Sequence, residues 1–94
     1  MNILESKIQS EYIKYLNGKG FKAVRHHPTR AGEPDTICCI HGRYVEIEFK
    51  KLTGIQSALQ KISRRLCIKA GGEYWIIKSL TQLQRKINRL SKKL

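Results

Sequence analysis

Between residues 43 and 50 apolar and polar side chains alternate without a break, with Val45, Ile47 and Phe49 on one side and Tyr44, Glu46, Glu48 and Lys50 on the other. A period of two belongs to a strand with one face against a core. Such a strand is not stable by itself, so its neighbours decide the fold. Residues 35–40 form a second β-rich run, and His41-Gly42 between the two is a tight turn, which predicts a hairpin.

The flanking segments complete the pattern. Leu4, Ile8, Tyr12, Tyr15 and Leu16 recur at helical spacing and give way to Gly18 and Gly20, which predicts an amphipathic first helix closed by glycine. Residues 21–27 read as a strand, and residues 28–34, with Pro28, Gly32 and Pro34, as a loop. Ile55, Leu59, Ile62 and Leu66 mark a second helix that ends at Gly71-Gly72. Tyr74, Trp75, Ile76 and Ile77 are contiguous, as in a strand buried on both faces. Ser79-Leu80-Thr81-Gln82 fits a capping box opening a third helix, with Leu80, Leu83, Ile87 and Leu90 inside and Arg85, Lys86, Arg89, Lys92 and Lys93 outside.

The order is thus α-β-β-β-α-β-α. The strands either side of the second helix should run parallel through a right-handed crossover, giving an α/β fold with a mixed four-stranded sheet flanked by helices. With 94 residues the chain is expected to form a single domain, residues 1–94. No apolar run approaches the roughly 20 residues needed to span a bilayer, so no membrane association is expected. The opening residues lack the layout of a secretion signal, so a cytoplasmic location is expected, in a host cell if a phage encodes the chain. Cys38, Cys39 and Cys67 form neither an even set nor a C-x-x-C spacing, which argues for reduced thiols rather than a disulfide frame or zinc site.

A net charge of +12 makes a polyanion the first partner to consider. Residues 1–50 hold eight Lys/Arg and six Asp/Glu, a balance of +2, whereas residues 51–94 hold eleven Lys/Arg and only Glu73, a balance of +10. Binding by charge alone gains nothing from carboxylates near phosphates, so the acidic half needs a reason, and a divalent metal is one. Hydrolysis of a phosphodiester calls for positive charge at the phosphate and a deprotonated nucleophile. Asp35 at the start of one strand and Glu48 in its hairpin partner can share a face, and the two-residue step to Lys50 keeps the lysine there. Glu46, Glu48 and Lys50 alone would equally be the solvated side of an ordinary strand. Gly32-Glu33-Pro34-Asp35, one hairpin away from Glu48-Phe49-Lys50, is the more specific signal.

In these segments the chain resembles the PD-(D/E)xK nuclease superfamily, with its restriction-endonuclease-like core, and within it the VRR-NUC family. Gly32-Glu33-Pro34-Asp35 resembles the family's G-x-P-D motif and Ile47-Glu48-Phe49-Lys50 its I-E-x-K motif. Residues 56–60 resemble its helix-opening segment ending in glutamine, and Gly71-Gly72 also matches. The resemblance implies a metal-dependent DNA endonuclease using Mg2+, with Mn2+ able to substitute. Asp35, Glu48 and the Phe49 backbone carbonyl would be metal ligands, Lys50 would orient the attacking water, and Gln60 would line the site. A first-helix glutamate would complete it, with Glu5 and Glu11 as candidates. Glu5 falls inside the apolar stripe, where a carboxylate is costly unless compensated, and is preferred. Glu46 is an extra acid, either a second-metal ligand or a charge paired with a lysine, the latter preferred.

Arg25, His26, His27 and Arg30 should border the site as phosphate contacts, with Lys51 beside it. His26-His27 lacks partners for a metal finger, since the other histidine is His41 in a turn. Lys61, Arg64, Arg65 and Lys69 form a basic face on the second helix, expected to bind DNA. Trp75, Tyr74 and Phe21 are expected in the core. A domain this small covers little more than one turn of duplex, so a homodimer is expected, and the resemblance points to branched DNA such as a four-way junction rather than a small-molecule substrate. The alternatives are a non-catalytic DNA-binding module of the same fold, or a restriction-like enzyme reading a sequence.

Overall fold

In the computed structural model the chain is described over residues 3–50 and 54–92, without the side chains of residues 3–5 and 92. The elements are α1 (Ile3–Gly18), β1 (Lys22–Arg25), β2 (Thr36–Ile40), β3 (Arg43–Phe49), α2 (Ala58–Lys69), β4 (Glu73–Ile77) and α3 (Leu80–Lys92). They form an α/β fold in the expected order, with a four-stranded sheet in the order β1-β2-β3-β4. The first two pairings are antiparallel and β3–β4 is parallel, as a helical crossover requires. His41 and Gly42 both take positive φ, 50° and 78°, the conformation that lets a two-residue hairpin follow the strand twist.

One face of the sheet carries the core. Ala23, Cys38, Ile40, Val45, Ile47, Trp75 and Ile77 pack there with Leu16, Leu83, Ile87 and Leu90. Tyr12 of α1 stacks on Phe49 with ring centroids 4.6 Å apart, fixing α1 beside the end of β3. Phe21 packs against this core and Trp75 lies within it, as the sequence predicts. Leu80 instead is largely exposed, because the buried face of α3 runs through Leu83, Ile87 and Leu90. Ser79 Oγ caps the Gln82 N–H, while Gln82 Oε1 accepts from Lys78 N at 2.7 Å, one residue earlier than a reciprocal box would place it.

The opposite face is covered by α2, which packs on β4. Cys67 is the buried hydrophobic residue of this helix. Leu59, Ile62 and Leu66 are 52%, 49% and 55% exposed, and Ile55, which precedes the helix, is 85% exposed. The sequence stripe is real in spacing but is left half-exposed rather than buried against the sheet. Gly71, at φ +97°, ends α2 with Gly72 N donating to Cys67 O at 3.0 Å. The cysteines are free thiols, Cys38 and Cys67 buried and Cys39 exposed.

Candidate active site

The β2–β3 register sets Thr36 opposite Ile47 and Ile37 opposite Glu46. Continued by one residue, it brings Asp35 opposite Glu48, on the face that carries α2. The negative charge of Asp35 reaches Glu48 and pushes its carboxyl up. Lys50 Nζ stands 3.7 Å from Glu48 Oε2.

Glu48 is buried, an unusual place for a carboxylate. Tyr74 donates its hydroxyl to Glu48 Oε1 at 3.3 Å, whereas Oε2 is buried without a hydrogen-bond partner. Burial pushes the Glu48 carboxyl above its usual range, the Lys50 ammonium, the Tyr74 hydroxyl and the Gln56 amide pull it back, and Asp35 pushes it further up. A buried carboxylate oxygen that makes no hydrogen bond, near the charge of a second carboxylate, fits a hard cation that takes oxygen ligands. Among the described residues no three His, Cys, Asp or Glu side chains converge to hold a metal. Asp35 and Glu48 are the two carboxylates that the β2–β3 register places side by side there. The side chain of Glu5 and all of Lys51 lie outside the described residues; the backbone of Glu5 belongs to α1, one turn before Gln9.

Gln60 does not line the site. Its side-chain Oε1 accepts from Ser57 N at 2.9 Å while its own N–H donates to Ser57 Oγ at 3.2 Å, a reciprocal capping box that opens α2. Its position as the third residue of the helix draws the side chain back onto the cap. Gln56, four residues earlier, instead neighbours Glu48 and Tyr74, and its Nε2 is buried without a hydrogen-bond partner. Tyr74 and Gln56 are thus site residues that sequence reasoning missed; Tyr74 has a second role beyond core packing.

The Gly32-Glu33-Pro34-Asp35 segment leans on α2. Gly32 has φ +88°, and a Cβ there would lie 2.5 Å from Leu59 C and O. Glu33 organises the loop: its carboxylate accepts from Thr29 N, Arg30 N and the Arg30 guanidinium, with His26 Nε2 at 3.3 Å. The His26 contact leads in holding the Glu33 carboxyl below its usual range. His27 and Arg30 are exposed, Arg30 with its guanidinium 3.4 Å from Glu33 Oε2.

Arg25 is placed otherwise than expected. Its guanidinium donates to Gln9 Oε1, to Ser10 Oγ and, at 2.9 Å, to Ser6 O, tying β1 to α1. A guanidinium with three partners on α1 has a structural task, not that of a phosphate contact. Glu46 Oε2 accepts from the Tyr44 hydroxyl at 2.5 Å, rather than standing as a charge for a lysine. Lys61, Arg64, Arg65 and Lys69 are all exposed on α2.

No protein-family model matches the chain, and no curated protein matches it. Its structure is similar to a solved structure described as "VRR_NUC domain", with a TM-score of 0.77 and 18% sequence identity, over 89% of this chain and 94% of that one. The chain has the VRR-NUC fold. No helix among the described residues is long and apolar enough to cross a membrane.

Proposed function

We propose that the protein is a metal-dependent DNA endonuclease that hydrolyses phosphodiester bonds, acting on branched DNA such as four-way junctions during viral replication, recombination or repair. The observation that carries this reading is the buried Glu48 carboxylate beside Asp35, whose Oε2 faces Lys50 Nζ at 3.7 Å yet makes no hydrogen bond. Burying this carboxylate costs more than the single Lys50 ammonium offsets, a cost for which a non-catalytic DNA-binding module offers no reason. Asp35, Glu48 and the Phe49 carbonyl would hold Mg2+, with Mn2+ able to substitute, and Glu5 is the proposed further ligand. A bound divalent ion supplies positive charge to the phosphate and acidifies water. Lys50, on the same face, orients the attacking water and steadies charge on the phosphate. Lys51, Lys61, Arg64, Arg65, Lys69, His27 and Arg30 would track the DNA backbone by charge.

The test is incubation of the purified protein with four-way junction, flap, duplex and single-stranded DNA in Mg2+, Mn2+ or chelator. Cleavage of the branched substrates with metal, and none with chelator, is the expected result. Lys50→Ala should lower the cleavage rate about a hundredfold or more with junction binding retained. Metal-independent cutting, or no cutting of any substrate, would refute the reading.

The proposed active form is a homodimer. α2 packs on β4 and leaves the β1–β2 half of its face uncovered, where Val24 and Cys39 are exposed, and its own Leu59, Ile62 and Leu66 stripe is half-exposed. A helix stripe and a bare sheet face on one chain are the two halves of a self-complementary contact. Two strands are about 10 Å wide, the diameter of one helix. Sedimentation should show a wild-type dimer and a monomeric Ile62→Glu variant with an unchanged circular dichroism spectrum. A wild-type monomer at tens of micromolar would remove this part of the proposal.

A further inference from the structure

The buried polar and charged residues of the described chain are Gln9, Thr36 and Glu48. Glu48 has its account in the metal site, but Gln9 and Thr36 lie across the sheet from it, on the core side. Burying a glutamine amide is costly unless its hydrogen bonds are made. Here they are: Gln9 Nε2 donates to the Asp35 carbonyl at 2.8 Å and to Thr36 Oγ1 at 3.0 Å, and Gln9 Oε1 accepts from the Arg25 guanidinium. The Asp35 carbonyl also accepts from His26 N at 2.8 Å.

We propose that Gln9 is a positioning residue for Asp35, fixing from the core side the peptide plane that directs the Asp35 side chain toward Glu48. Two donors on one carbonyl, one from β1's extension and one from α1, leave the Asp35 backbone little rotational freedom. Side chains alternate across a strand, so a carbonyl held from below sets the direction of the carboxylate above. Arg25 in turn holds the Gln9 amide by its oxygen, which assigns Arg25 a role in the same network, while Thr36 Oγ1 only accepts the amide's other N–H. Supporting contacts of this kind set metal affinity as well as ligand geometry. The inference rests on the metal-site reading above.

Gln9→Met keeps the volume and removes the donor without burying a charge. The Asp35 carbonyl still has His26 N, so no backbone acceptor is orphaned and the fold should survive. Mn2+ affinity measured by calorimetry on the DNA-free protein is expected to fall about tenfold or more. Ile87→Val, a core change in α3 away from the site, should lower the melting temperature without altering Mn2+ affinity. Thr36→Val, which leaves the Gln9–Asp35 bond in place, should stay within about twofold of wild type. Should Gln9→Met not fold, Gln9→Glu keeps the acceptor for Arg25, removes the donor and carries the same expectation. Wild-type Mn2+ affinity in either folded Gln9 variant overturns the proposal, and so does an equal loss in Thr36→Val. A wild-type protein that binds no Mn2+ overturns the metal-site reading itself, and this inference with it.

Discussion

Glu48→Gln is expected to abolish metal-dependent cleavage, by about a thousandfold or more, while leaving the metal-free protein at least as stable as wild type near neutral pH. The two effects have one cause. Glu48 is buried, its Oε2 has no hydrogen-bond partner, and burial raises its pKa, with Lys50 and Tyr74 only partly offsetting this. A folded-state pKa above the unfolded value means that the folded protein binds this proton more tightly. The Glu48 contribution to stability is therefore full below the ordinary carboxylate range and is lost as pH rises through the raised folded-state value. Glutamine removes that slope together with the metal ligand. Thermal melts in chelator from about pH 4.5 to about pH 8 should show a shallower decline for Glu48→Gln. Wild-type cleavage by the variant, or an unchanged pH slope, would contradict the assignment of Glu48.

Gly32→Ala is expected to cost about 2–4 kcal/mol and to take most of the cleavage activity with it. The residue is held at φ +88°, and its missing side chain is where the Leu59 backbone sits, 2.5 Å from an added Cβ, with Gln60 N at 2.9 Å. Those are backbone atoms of the first turn of α2, so no rotamer change relieves the clash. Either α2 moves off the sheet or the loop carrying Asp35 moves away from Glu48. Gly20, also at positive φ but with nothing within 4 Å of its added Cβ, is the comparison. Gly20→Ala should cost only about 1 kcal/mol and leave the site untouched. Urea denaturation of both variants measures the difference, and equal losses would show that φ alone, not the contact with α2, explains Gly32.

The element order was legible because each segment declares its own period. The break-free alternation of residues 43–50 made β3, the His41-Gly42 turn made the hairpin, and two-residue spacing put Glu48 and Lys50 on one face. The glycines of the G-x-P-D segment and of Gly71-Gly72 were legible as motifs, though not what they touch. Gln9 was not legible, since a single polar residue beside a helical apolar stripe gives no sign that it will be buried. Residue type and position suggest Arg25 as a phosphate contact, and the family resemblance implies Gln60 as a site residue. The structure engages Arg25 with α1, and turns Gln60 onto the cap of its own helix, leaving Gln56 beside Glu48.

What the sequence by itself determined was local: strand and helix periods, turn chemistry, and which charged residues share a strand face. These depend on backbone geometry over a few residues. Only the tertiary structure decided which partner each polar group takes and which apolar stripe is covered. Gln9 finds Asp35 and Thr36 across 26 and 27 positions of sequence, and Tyr74 finds Glu48 across 26. The α2 stripe has helical spacing but is left half-exposed. A period specifies that a face is apolar, whereas what covers it, or what a buried oxygen is bonded to, follows from how distant elements pack.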